Sequence, residues 1–451
     1  MTLMMSVSGV RGIVGETMTP TLAAELGCAF GSYLGGGKVV VGRDTRPSGP
    51  MVFNALAGGL LATGCDVIDL GVVSTPGVAV MIHERQAAGG VVITASHNPA
   101  MWNGIKFLTS QGFAPPPELA EEILGRYRNK AFTLADVDHV GRIERDTTTH
   151  EKHVARVLDT LDVEAIRNAR FKVVLDSVNG AGGLGGHLLL DRLGCQVIHI
   201  NAEPTGRFAH APEPLAENLT GLCDAVRHHD AAIGFAQDPD ADRLAIVDNT
   251  GRYIGEEYTI ALAAKFMFMS GKGSGPAAAA VNLSTSRMID DIAAEAGGDI
   301  VVQRTAVGEA NVARAVLDLG CVIGGEGNGG VIDPRVSLVR DSFVAMGLVL
   351  NLLADRADAG PLAAMVDAMP RYVMRKEKFE MDRERIDGLL AKAPQIAGDG
   401  ILNDSDGLRI DWPEGWAHVR ASNTEPIARV ISEAKDSATA EALVKRVTQL
   451  M

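Results

Sequence analysis

Short apolar runs, each broken by a polar or glycine-rich stretch, recur along this chain and predict buried strands alternating with helices. Three segments share one order. In the first, residues 38–42 read as a strand, a helix covers roughly 50–63, and residues 64–69 read as the next strand. The second has a strand at 172–176, a glycine-rich turn, a helix and a strand at 194–199. The third runs from a strand at 277–281 through a helix at about 286–296 to a strand at 298–302. Strand, helix, glycine, strand implies right-handed parallel crossovers. A charged stretch at 136–152 reads as a linker, 248–251 as a hairpin turn, and 360–371 as the separation before a shorter, more charged segment. That last piece predicts strands near 408–412, 416–420 and 428–432 and a final helix at 439–450. The pattern predicts an α/β chain with three tandem related α/β/α domains, at 1–147, 148–250 and 251–367. A smaller C-terminal α+β domain follows at 368–451.

At 451 residues the chain is too long for one core. Aromatic residues make up only 4%, while 51 glycines suit close helix–sheet layers. The longest apolar run, 343–353, is bounded by Asp341 and Asp355 and interrupted by Asn351, so it predicts a core helix and no membrane span. A formal net charge of −14 argues against nucleic acid as a partner. Any anionic substrate must be captured by local cations. Residues 1–16 lack the basic start, apolar run and cleavage site of a signal peptide. The odd set Cys28, Cys65, Cys195, Cys223 and Cys321 lacks metal-ligand spacing and reads as reduced thiols of a cytoplasmic protein.

Four polar loops carry the chemistry. Residues 94–99 follow an apolar strand and place Ser96 and His97 at a strand–loop junction, with Asn98-Pro99 turning the chain. In residues 238–243, Asp238, Asp240 and Asp242 alternate in a tight turn between apolar strands, so their side chains converge. Three converging carboxylates need a cation, and an all-oxygen set without EF-hand spacing points to Mg²⁺. Residues 324–330 surround Glu326 with glycines, and a carboxylate offers acceptors for sugar hydroxyls. Residues 420–426 combine Arg420 with Ser422, Asn423 and Thr424 as a phosphate cradle, to which Arg429 adds. Taken alone, the third loop reads equally as a hairpin and the fourth as a capping turn. Arg11, Arg43, Arg46 and Lys106 share loops with glycine and are further candidate cations. Residues 180–185 satisfy the GxGxxG spacing of a dinucleotide fingerprint, with Glu203 beyond the next strand. An NAD-dependent oxidoreductase built on it leaves the other loops unexplained.

In this order the four loops resemble the α-D-phosphohexomutase family: its phosphoserine, metal, sugar and phosphate-binding loops in turn. The resemblance covers essentially the whole chain and implies three related α/β units with mixed sheets and a smaller fourth domain around a central cleft. It implies that Ser96 carries a phosphoryl group and that Mg²⁺ is held by Asp238, Asp240, Asp242 and a phosphate oxygen on Ser96. A hexose monophosphate passes through a bound hexose 1,6-bisphosphate. Arg11 and Arg243 support the transferring group, Lys106 is the acid/base candidate, and His97 shapes the phosphate site. Glu326 and Asn328 face the sugar, and the Arg420 loop grips the non-reacting phosphate. The expected partners are small sugar phosphates, with no nucleic acid or membrane; the chain is a monomer or homo-oligomer. Two features depart from the pattern. Many relatives end the sugar loop in Ser-Gly-His where this chain has Asn328-Gly329-Gly330, and residues 305–308 lack a lysine that some relatives carry. The Asn-Gly-Gly form resembles the archaeal-type phosphoglucosamine mutase branch, with phosphomannomutase and phosphoglucomutase as alternatives. A sugar-phosphate binder without turnover is a further alternative.

Overall fold

The computed structural model of the chain describes residues 3–6, 9–270, 278–297, 299–381, 383–421 and 427–449. Seven strands form the first sheet: β1 (Met4–Ser6), β2 (Gly9–Ile13), β3 (Gly37–Arg43), β4 (Cys65–Val72), β5 (Gly89–Ile93), β6 (Trp102–Thr109) and β7 (Ile143–Arg145). Their order is β1-β2-β6-β5-β3-β4-β7. The second sheet contains β8 (Lys172–Asp176), β9 (Gln196–Ile200), β10 (Ile233–Gln237) and β11 (Leu244–Asp248), in the order β11-β10-β8-β9. The third contains β12 (Ala278–Asn282), β13 (Val301–Thr305), β14 (Ile323–Glu326) and β15 (Gly330–Ile332), in the order β13-β12-β14-β15.

Read from the matching edge, the three sheets share one four-strand unit. Its first, second and third strands are parallel, and its fourth returns antiparallel beside the third. The parallel part is the crossover geometry that the strand–helix–glycine–strand repeat predicts. The antiparallel return is what makes the sheets mixed. Each return encloses one candidate loop: residues 94–101 between β5 and β6, 238–243 between β10 and β11, and 327–329 between β14 and β15. The same place in the unit therefore presents three different chemistries.

Some elements differ from the sequence pattern. Part of the stretch read as a linker is β7, an exposed edge strand paired parallel with β4, and the helix Thr149–Leu158 begins inside it as well. Charged side chains suit an edge strand and mask its apolar signal. In the C-terminal domain, β16 (Val373–Glu380) is likewise polar and exposed at the edge of the sheet β16-β20-β19-β18-β17. The others are β17 (Ile401–Asn403), β18 (Leu408–Trp412), β19 (Gly415–Ala421) and β20 (Ile427–Ala434), all antiparallel.

The core helix spans Ser342–Asp355, with Asp341 as its N-cap accepting from Phe343 N and Val344 N. Its one polar interruption is satisfied: Asn351 pairs with both backbone groups of Asp162. One apolar core joins this helix to elements of the second and third domains, and another joins the first domain to the helix Glu309–Leu319 of the third. The C-terminal domain has a core of its own. All five cysteines are free thiols, with Cys65 and Cys321 buried. Among the described residues no helix is long and apolar enough to cross a membrane.

Candidate active site

Strand β5 is buried throughout and delivers Ser96 to the site in a left-handed backbone conformation, φ +50°. Such a conformation costs a non-glycine residue about 1–3 kcal/mol, so the surroundings must impose it. Two neighbours do. The Thr94 hydroxyl accepts from Ser96 N at 2.9 Å and donates to Asp44 at 2.7 Å. Arg46, only 1% exposed, spends every N–H on this loop or on Asp44. Its Nε bonds Asp44 Oδ2, and its two Nη atoms bond the carbonyls of Ser96, Asn98, Pro99 and Trp102 at 2.7–3.1 Å. Hydrogen bonds from a charged donor are worth about 1.5–3 kcal/mol each, so the clamp outweighs the strain. Arg46 is therefore a structural cation and does not face a ligand. Arg43 is likewise committed, to Asp69 at 2.7 Å.

The Ser96 hydroxyl donates to Asp238 Oδ2 at 3.1 Å and lies 3.3 Å from His97 Nδ1. Burial, followed by the charges of Arg243 and Arg11, pushes His97 down to about 3, so its ring is neutral at physiological pH. Arg11, on β2, donates to Asn98 Oδ1 at 3.0 Å.

Both strands flanking the acidic turn are fully buried, and Asp238, Asp240 and Asp242 are each 0% exposed. One oxygen from each lies within 4.8 Å of the others. Two like charges at about 4 Å repel by about 4 kcal/mol at an effective dielectric of 20, so cations must answer them. Lys106 Nζ sits 2.8 Å from Asp240 Oδ2 and 3.6 Å from Asp242 Oδ2. Thr75 donates to the same Asp240 oxygen at 2.7 Å, and Arg340 to Asp242 Oδ2 at 2.7 Å. Burial opposes ionisation of Asp240 and Asp242, but these partners outweigh it and hold both carboxyls below their usual range. Among the described residues Asp238 is in no such ion pair: burial, then Asp242 and Asp240, push it well above the usual range, against the opposing charge of Arg243. Burial likewise opposes the Lys106 charge, but Asp240 and Asp242 raise its pKa, so it stands as an ammonium. Asp240 Oδ1 and Asp242 Oδ1 are buried with no hydrogen-bond partner among the described residues. Unpartnered carboxylate oxygens beside a partly neutralised third are the donor set of a hard divalent cation.

In the glycine-rich loop, Glu326 is 4% exposed. Its oxygens accept from Asn282, Gly308 N, Asn328 and Arg340, and Asn328 Oδ1 is a buried acceptor with no hydrogen bond among the described residues. Gly327 lies against the Glu257 carboxylate, 2.0 Å from where a Cβ would stand. Burial raises Glu257 to about 8, with Ser286 N donating to it at 3.0 Å. A carboxyl raised on folding stabilises the protein below its unfolded pKa and loses that contribution as pH rises through the folded value. Thermal unfolding midpoints measured from pH 5 to pH 9 are therefore expected to fall more steeply for the wild type than for Glu257→Gln. Parallel profiles would show that Glu257 does not titrate in this window.

Across the C-terminal sheet, Arg420 on β19 faces Arg429 on β20. Like charges directly opposite are unfavourable in a sheet, and an anion between them removes the conflict. Ser422, Asn423 and Thr424 lie outside the described residues. This domain is fastened to the third by Ser284 with His418, by Arg409 with the Leu283 carbonyl, and by Val307 N with Asp406.

Models of the phosphoglucomutase/phosphomannomutase family match the chain in four consecutive parts. The α/β/α domains I, II and III match residues 3–134, 151–251 and 255–372, and the C-terminal domain matches 373–450. The chain belongs to this family. A phosphoglucomutase/phosphomannomutase of Thermococcus kodakarensis is 40% identical, covering 95% of this chain and 93% of its own length. A probable phosphoglucosamine mutase of Methanopyrus kandleri is 38% identical, covering 97% and 95%. The crystal structure of a phosphoglucomutase/phosphomannomutase family protein from Burkholderia thailandensis superposes with a TM-score of 0.84 at 27% identity, covering 99% and 97%. This family member is an enzyme of the phosphohexomutase class, an isomerase.

The structure also contains site residues that the loops alone did not point to. Thr75 reaches the acidic turn, Arg340 reaches both that turn and the glycine-rich loop, and Glu309 pairs with Arg340, all from distant segments. The dinucleotide-like glycines have another explanation. A Cβ at Gly180 would stand 2.8 Å from Pro239 Cα, and one at Gly182 would stand 2.6 Å from the Gln237 side chain. These glycines let the helix Gly183–Arg192 close on the acidic turn.

Proposed function

We propose that the chain interconverts hexose 6-phosphate and hexose 1-phosphate, with Ser96 as phosphoryl carrier and a bound hexose 1,6-bisphosphate between the two half-reactions. Glucosamine phosphate is the leading substrate. The reading rests on one observation: the Ser96 hydroxyl bonds Asp238 beside two buried carboxylate oxygens that have no hydrogen bond among the described residues.

Asp238, Asp240 and Asp242 would hold Mg²⁺, together with a phosphate oxygen on Ser96; a bound Mg²⁺ supplies charge neutralisation at the transferring phosphoryl group. Phosphoryl transfer needs positioning and electrostatic support more than covalent help. Arg46 and Thr94 position Ser96. Arg11 and Arg243 bring positive charge to the same point, and Arg243 Nε is buried without a hydrogen-bond partner. In one half-reaction the bond from phosphorus to Ser96 Oγ breaks as a bond to a sugar hydroxyl oxygen forms, and the hydroxyl proton ends on Ser96 Oγ. In the return the sugar oxygen recovers a proton. Lys106 is the residue for that proton: its ammonium, beside the acidic turn, gives a proton to the departing oxygen and recovers one from the attacking hydroxyl. Neutral His97 contacts Ser96 without competing for the phosphate's charge. Asn328 and Glu326 would face the sugar, and Arg420, Arg429 and residues 422–424 the non-reacting phosphate.

The relatives carry names for different sugars, so mannose and glucose phosphates form the second reading, favoured by the Thermococcus kodakarensis relative. The test is ³¹P NMR of the protein with Mg²⁺ and a trace of hexose 1,6-bisphosphate. It is run on glucosamine 6-phosphate, mannose 6-phosphate and glucose 6-phosphate separately, each with an EDTA control. A 1-phosphate resonance that EDTA abolishes is expected, strongest with glucosamine. Silence in every tube, with Ser96 phosphorylated by mass, would overturn the reading.

A further inference from the structure

Arg340 lies in the segment between β15 and the core helix, is 7% exposed, and meets three carboxylates. Its Nη2 bonds Asp242 Oδ2 at 2.7 Å, its Nη1 bonds Glu326 Oε2 at 2.5 Å, and its Nε lies 3.1 Å from Glu309 Oε2. Its backbone N–H also donates to Glu309, at 3.3 Å. The segment is anchored on both sides. Asp341 N donates to Val331 O at 2.8 Å, and Ser342 N donates to Ala241 O at 3.2 Å, inside the acidic turn. The guanidinium therefore cannot swing away as a surface arginine does.

The contacts are directional. By holding Asp242 Oδ2, Arg340 leaves Asp242 Oδ1 without a hydrogen bond among the described residues, 3.8 Å from Arg243 Nε. By holding Glu326 Oε2, it sets the plane of the one carboxylate in the glycine-rich loop. Asp242 belongs to the second domain and Glu326 to the third, so one side chain fixes both. A guanidinium does this because its N–H groups diverge in a rigid fork, which an ammonium cannot copy. The neighbouring glycine follows from the same geometry: a Cβ at Gly330 would stand 2.1 Å from Arg340 Cδ. The stem of Arg340 thus occupies the space that any side chain at position 330 needs. That accounts for glycine rather than histidine at position 330.

We propose that Arg340 is the positioning residue that locks the acidic turn and the glycine-rich loop into one unit, orienting Asp242 toward the cation and Glu326 toward the sugar. Position 330 is glycine to admit it. The inference deepens the mutase reading and rests on it for the sugar, while its metal half can be tested without turnover.

The test is calorimetric titration with Mg²⁺ alone, together with the KM of whichever hexose phosphate is turned over, on Arg340→Lys and Gly330→Ala. Thermal midpoints are recorded alongside. In Arg340→Lys, Mg²⁺ affinity is expected to fall about 10–100-fold, the loss typical when a group orienting a metal ligand is removed, with KM rising about tenfold. Gly330→Ala keeps the charge but displaces the arginine stem, and it is expected to move both constants in the same direction. If Arg340→Lys does not fold, Gly330→Ala decides on the same two constants. Both constants within about twofold of wild type in a folded variant, or a lowered midpoint alone, would reduce Arg340 to a packing residue and overturn the proposal. A wild type that does not bind Mg²⁺ would instead overturn the reading of the acidic turn.

Discussion

Ser96→Ala is expected to lose turnover by roughly 10⁴-fold or more, the scale seen when the group that carries the transferred fragment is removed. The protein should remain folded and keep its sugar-phosphate affinity. The substitution deletes a single oxygen from a side chain 1% exposed. The loop conformation does not depend on that oxygen, because Arg46 and Thr94 bind backbone groups of residues 96–102. The separation between catalysis and binding is the informative part. Steady-state assay gives the first, and calorimetry with a hexose 6-phosphate gives the second. If the variant keeps a tenth of wild-type turnover, Ser96 is not the phosphoryl carrier. If it loses affinity and activity together, the loop has collapsed and a Ser96→Thr comparison is needed to recover the role of the hydroxyl.

Asp238→Asn should give a less intuitive pair of results. The metal-free protein should become more stable while catalysis falls by roughly 10³-fold, the size of a Lewis-acid contribution of several kcal/mol. Asp238 is the member of the trio without its own cation, and burial with two charged neighbours already disfavours its ionised form. An amide of the same shape keeps the acceptor used by Asp242 N and Arg243 N and removes the repulsion. Relief of about 1–3 kcal/mol would raise the thermal midpoint by a few degrees. The upward shift that Mg²⁺ causes in the wild type, through preferential binding to the folded state, should disappear in the variant. A variant that melts below the wild type in EDTA, or still gains stability from Mg²⁺, would contradict the reading of the acidic turn as a frustrated cation site.

The parts of this molecule legible in its sequence are those encoded locally. Strands β5, β10 and β14 begin as runs of apolar residues and glycine, and the polar signal follows within a few positions. The core helix is marked by Asp341 at its start and by an apolar run that only Asn351 interrupts. Strands β7 and β16 escaped because edge strands carry charge, which removes the contrast that marks buried ones. Site residues that come from far away left no local trace. Thr75 reaches Asp240 across 165 positions and Arg340 reaches Asp242 across 98, each from a segment whose composition is ordinary. Arg46 misled in the opposite sense. An arginine in a loop with glycine suggests a ligand contact, but here every side-chain donor turns inward, to backbone carbonyls or to the Asp44 carboxylate. The glycines at 180–185, set aside as a dinucleotide fingerprint, mimic one for a related reason: close approach to a protein backbone and close approach to a pyrophosphate select the same residue.

The strand order common to the first three domains bears on how such a molecule changes trade. Each copy keeps the same alternation of strands and helices, and the copies diverge mainly where one reverse turn leaves the third strand. That strand is buried at every position in all three copies, so the turn can be rewritten without disturbing its support. Duplication followed by division of labour needs little more than this. One ancestral turn, repeated three times and aimed at a common point, can acquire a nucleophile in one copy, acids in the next and glycines in the third, while the scaffold stays out of reach of the experiment.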